Sequence, residues 1–173
     1  MIILLLQSCL VQYGTQTQSS FTSTNSNVYK NKSGKVDLFF EGTKISYEYE
    51  TVGFVEATGS ETSTTEELLN FLKYKAYQNG ADAIINVKKE SVIRKTGYLF
   101  DDEYDEIYSA PSFNGIAVKY TNQVELIKNV PDTSFVRYVK EVNKMDSAKI
   151  EKGIIWSLLL GVITVIAVII KGN

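Results

Sequence analysis

The sequence predicts a small α+β domain held at a membrane. It reads as a mixed sheet with one covering helix in the order β-β-α-β-β-β, then a juxtamembrane helix, then a C-terminal transmembrane helix. Three observations lead there. Strand-like patterning at 47–57 and 81–87 flanks a helix signal at 64–79. A polar segment, 12–35, sets this block apart from an apolar N-terminus. An uncharged apolar run, Ile154 to Ile170, lies near the C-terminus.

Residues 1–11 begin MIILLLQSCL. Leu6-Gln7-Ser8-Cys9 has the form of a bacterial lipobox, in which a small residue precedes a cysteine that takes lipid, so Cys9 is the expected lipidation site. The basic n-region is missing and the apolar stretch is short. An upstream start site would account for both. Residues 12–35 are rich in Ser, Thr, Asn and Gln, with too little apolar surface to offset ordering entropy. That composition predicts a disordered polar tether.

The expected domain spans 36–130. Val36 to Phe40 is a short apolar strand, and Tyr47 to Ala57 alternates as a half-buried strand does. Thr64 and Glu67 have capping-box spacing. Leu68, Leu69, Leu72 and Ala76 recur on one helical face. Asn79-Gly80 ends the helix, with Gly80 in the left-handed cap position. Ala81 to Val87 is nearly all apolar and predicts a buried strand. Two more strands are expected near Ser91–Arg94 and Gly115–Tyr120.

From 131 to 152 a helix is expected, capped by Asp132 or Thr133, with Val136, Val139, Val142 and Met145 on one face. Arg137, Lys140, Lys144, Lys149 and Lys152 lie here and suit phosphate head groups at a membrane interface. The segment 153–171 then reads as a membrane span, because its run has no polar face and reaches roughly 25 Å as a helix. The basic residues before this span favour a cytoplasmic domain by the positive-inside rule. A signal-type N-terminus favours the periplasm or exterior. Export is decided before the last span is made, so the inner membrane with the domain outside is the expected location.

Three segments carry a resemblance: Tyr49 to Val55 (YETVGFV), Gly80 to Ile85 (GADAII) and Phe113 to Tyr120 (FNGIAVKY). Their order around one helix resembles the YbjQ-type domains, labelled heavy-metal-binding. It is also similar to small bacterial lipoproteins with a GADA-type helix–strand turn, including the RcsF-like envelope sensors. The resemblance covers about residues 36 to 120. It implies a structural turn at Gly80, Ala81, Asp82 and Ala83, and ring-like homo-oligomers. This chain has one cysteine and no histidine, so it lacks the disulfides of the RcsF-like proteins and the Cys/His ligands that the metal label implies.

The absences narrow the function further. Without histidine there is no Ser-His-Asp or Cys-His arrangement, and no zinc, copper or iron site of ordinary composition. A net charge of −2 gives no footprint for nucleic acid. Asp101, Asp102, Glu103, Asp105 and Glu106 form an acidic run that suits hard cations, but it lacks the D-x-D-x-D-G spacing and reads more simply as a solvated hairpin tip. Tyr98, Phe100, Tyr104, Tyr108 and Phe113 around it read as inward aromatics of that hairpin, with an aromatic contact patch as the alternative. The expected function is non-catalytic: an interaction, scaffold or sensing module. The alternative is an ion-handling or transport accessory using 101–106. No cofactor is expected. The expected partners are the lipid bilayer, an envelope protein and a second copy of the chain.

Overall fold

The computed structural model describes residues 12–31, 34–98, 101–121 and 132–147. They fall into two units, dividing at Pro131 and Asp132.

The first unit is a six-stranded sheet with one helix. Its elements are β1 (Gln12–Tyr13), β2 (Gln18–Ser23), β3 (Asp37–Phe40), β4 (Tyr49–Thr58), α1 (Thr65–Gln78), β5 (Ala83–Tyr98) and β6 (Asp101–Tyr120). The strand order is β1-β5-β6-β4-β2, with β3 added parallel to β5. The three segments of the YbjQ-type pattern form β4, the turn into β5 and the end of β6, at the centre of the sheet.

Helix α1 begins where its spacing predicts. The Thr64 hydroxyl accepts the Glu67 N–H at 3.1 Å. The helix buries Leu68, Leu72 and Ala76 completely. It packs across β4, β6 and β2, where Val55, Ala57, Phe113 and Ala117 are also buried. Each fully buried leucine contributes roughly 1.5–3 kcal/mol. The opposite face of the sheet carries a smaller cluster, in which Phe39, Ile45, Ile116 and Tyr120 pack on Ala83, Ile85 and Val118.

The fold-class expectation fails in three ways. First, the chain is mostly sheet, because two strands come from the segment expected to be a tether. β2 pairs one-to-one with β4 over Gln18–Ser23, and β1 pairs with β5 near Tyr98. Main-chain hydrogen bonds hold an edge strand without much side-chain burial, so a Ser/Thr-rich sequence can join a sheet. Its apolar anchor is Phe21, whose ring lies so close over Gly53 that a Cβ there would come within 2.5 Å of it.

Second, the two strands expected after Val87 are continuations of long ones. β5 and β6 form one extended antiparallel hairpin. Third, the expected C-terminal transmembrane helix is not among the described elements. Among the described residues no helix is long and apolar enough to cross a membrane. The described part of the helix in the second unit, α2 (133–147), covers about 22 Å at 1.5 Å per residue and is studded with charge. The run 153–171 lies outside the described residues.

Asp132 caps α2, its carboxylate accepting the Phe135 N–H at 3.1 Å. Burial on this helix falls on Phe135, which the valine pattern omitted. Val139 and Val142 are half-buried, and Val136 is exposed.

Candidate functional site

The face of the sheet opposite α1 carries an open groove of about 420 Å³. It is lined by Phe54, Glu56, Asn86, Lys88, Asn114 and Ile116, with Ser20 and Thr22 at its side. Strand alternation puts these residues on one face: Phe54 opposes Ile116, and Glu56 opposes Asn114. A bulge completes the groove. Ile85 pairs with Ile116 and Lys88 with Asn114, leaving Asn86 and Val87 opposite Gly115. Asn86 takes φ +51, a left-handed conformation that asparagine tolerates better than branched residues.

The chemistry is that of recognition. Phe54 is 55% exposed, a large apolar group facing solvent within a polar rim. Lys88 pairs with Glu41 at 2.8 Å. Glu56 accepts from the Thr58 and Ser112 hydroxyls at 3.1 and 3.2 Å. Two amides, one cation and one anion surround the ring, so donors and acceptors are both on offer.

Gly80, Ala81 and Asp82 lead from α1 into Ala83 at the start of β5, and Asp82 does more than turn the chain. Lys119 donates to its carboxylate at 2.8 Å, and to the carbonyls of Lys30 and Gly80 at 2.9 and 3.3 Å. Nearby, Tyr120 donates to Asp37 at 3.4 Å and stacks at a tilt on Tyr47, ring centres 5.3 Å apart. Burial, and then the Asp37 charge, push the Tyr120 phenol above its ordinary range. This network pins the chain before β3 to the end of β6.

The acidic run opens β6 rather than forming a loop. Asp105 is 11% exposed and engaged by both Lys95 and the Tyr13 hydroxyl. Glu106 is exposed. The side chains of Asp101, Asp102 and Glu103 lie outside what is described. Among the described residues no group of three metal-ligating side chains comes together. Of the aromatics, Phe113 is core, and Tyr108 donates to the Gly14 carbonyl at 2.6 Å. Arg137, Lys140 and Lys144 are exposed on α2. Cys9, Lys149 and Lys152 lie outside the described residues.

The hydrogen bonds from Lys95 and Tyr13 hold the Asp105 carboxyl below its ordinary value of 3.8. A depressed carboxylate stabilises the fold above its unfolded pKa, and that stability is lost as pH falls through the folded value. The β1–β5 pairing should therefore be steady from neutral pH to about 5 and loosen below the ordinary carboxylate range. Amide exchange at Tyr13 across a pH series checks this. The same acid-side loosening in Asp105→Asn would contradict it.

No protein-family model matches this chain, and no curated protein matches it. Among solved structures it is similar to the crystal structure of a Francisella virulence factor, FvfA, at 13% identity. The match covers 59% of this chain and 98% of that one, with a TM-score of 0.34.

Phe54, Asn86, Lys88 and Lys119 escaped the sequence reading. Alternation in β4 could have flagged Phe54 as outward, since Val55 and Ala57 face in. Nothing local marks Asn86 as a bulge.

Proposed function

We propose that this protein is a non-catalytic, lipid-anchored module of the bacterial envelope that binds a protein partner across the outer face of its sheet. The observation that supports this most is the exposed Phe54 ring inside a groove bordered by Glu56, Asn86, Lys88 and Asn114. Exposed aromatics with a polar surround are the usual anchors of protein interfaces. The lipobox-like run Leu6 to Cys9 supports the anchor, and Arg137, Lys140 and Lys144, exposed on α2, suit anionic head groups. The ion-handling alternative is not favoured, because Asp105 is already committed to Lys95 and Tyr13.

Phe54→Asp with Lys88→Glu tests the binding face. Both side chains are solvent-facing, so the melting point should move little. Partner recovered with the full chain from native membranes in mild detergent should fall by about ten-fold, or 1.4 kcal/mol. Unchanged recovery from a folded variant would refute this face. For the anchor, an alkyne fatty acid should label the wild type and leave Cys9→Ser unlabelled. Equal labelling of both would remove lipidation from the proposal.

A further inference from the structure

β2 is an outer strand of the sheet, and its second edge pairs with no strand among the described residues. Which groups are free follows from the ladder. Thr24 donates its N–H to the Val52 carbonyl at 3.1 Å. Antiparallel ladders alternate, so Thr22, Ser20 and Gln18 also direct their main-chain groups at β4. Those of Ser19, Phe21 and Ser23 therefore point outward.

Edge strands of monomers are usually blunted by charge, proline, a bulge or shortness. β2 has none of these. Its sequence is QSSFTS, uncharged and without proline, and it pairs with β4 over six consecutive residues without a register shift. The other outer strands, β1 and β3, have two and four residues.

We propose that two copies of this chain join through β2, antiparallel about a two-fold axis at Phe21. The outward groups at 19, 21 and 23 are symmetric about that residue, which makes a second copy the fitting occupant. Phe21 would pair with Phe21, and Ser19 with Ser23, with each pair exchanging its main-chain hydrogen bonds. Ser20 would oppose Thr22 on the groove side, and the two Phe21 rings would meet on the face covered by α1. Electrostatics permits it. β2 is neutral, and the two Glu56 side chains on the neighbouring strands would lie about 16 Å apart, three strand spacings across and two residues along, beyond a Debye length of roughly 8 Å. Such a dimer consumes both free edges and closes, so it does not propagate. It continues the sheet and leaves the groove open, and it stands independently of the partner-binding proposal.

The test uses the full-length chain in mild detergent with Cys9→Ser, so that introduced thiols are the only ones. Ser20→Cys and Thr22→Cys are made separately, then mixed and oxidised. Opposed positions in a non-hydrogen-bonded pair suit a disulfide, whereas residue 20 does not oppose residue 20. The mixture should crosslink at least about five-fold more than either variant alone. Ser19→Pro removes only an outward donor, so it should weaken association by about ten-fold in sedimentation while the monomer keeps its melting point. Should Ser19→Pro fail to fold, the crosslink ratio decides. Phe54→Asp should dimerise as the wild type does, which separates this proposal from the groove. A wild-type monomer at about 100 µM, equal crosslinking in all mixtures, or a folded Ser19→Pro that associates normally would overturn it.

Discussion

Gly80→Ala should destabilise the domain by about 3 kcal/mol or more, a large effect for one methyl group. Two constraints coincide at this residue. α1 ends in a Schellman motif, with Ala81 N–H donating to the Ala76 carbonyl at 3.1 Å and Gly80 N–H to Tyr77 at 2.9 Å. That motif requires the left-handed backbone seen at Gly80, φ +80. The N-terminal chain also crosses directly over it. A Cβ at Gly80 would lie 2.3 Å from the Tyr29 carbonyl carbon and 2.4 Å from its oxygen. Main chain cannot swing aside as a lysine tip can. Gly42 is the control, with φ +82 and nothing within 4 Å of its would-be Cβ. Gly42→Ala meets backbone strain alone, about 1 kcal/mol. Urea unfolding of both variants separates the terms. Equal losses would mean that Tyr29 does not pack there.

Asp82→Ala is the second large effect, expected at about 2–3 kcal/mol. Its carboxylate is 12% exposed and the Lys119 ammonium 19%. Removing one partner of a fully buried pair costs about 3–5 kcal/mol, and residual solvent access lowers that. Lys119 keeps the carbonyls of Lys30 and Gly80 but loses its counter-charge. In Asp82→Ala/Lys119→Met the losses should be less than additive, since the orphaned cation is gone. The nearby pair Lys35–Asp37, at 2.6 Å, is 40% and 31% exposed. Breaking it should cost under about 1 kcal/mol. Denaturant midpoints for the three variants rank the pairs. A Lys35→Met loss as large as that of Asp82→Ala would contradict the ranking.

The helix and its surroundings were legible because their signals are local. The Thr64 cap, the Leu68–Leu72–Ala76 stripe and the Gly80 stop each sit within a few residues of what they determine. The strands at Tyr49–Val55 and Ala83–Val87 were legible through period and apolarity. β1 and β2 were not, since an edge strand is held by the main chain and by Phe21 over Gly53, a contact between residues far apart in sequence. The same limit hid the groove. Phe54, Asn86 and Asn114 belong to three strands, and only the register brings them to one face. Asp105 read as one of five interchangeable carboxylates. Its role depends on Tyr13, which the composition had assigned to a tether. Asp82 was visible as a turn residue, but its partner Lys119 lies in another strand.

The outer face of the sheet is best tested by a photo-activated crosslinker placed at Phe54 in the full chain in living cells. The same group at Gln78, exposed on α1, is the reference. Adducts of a defined mass should form at position 54 and be missing at 78. Equal adducts at both positions, or none at 54 while the protein is folded, would show that this face is not where the partner binds.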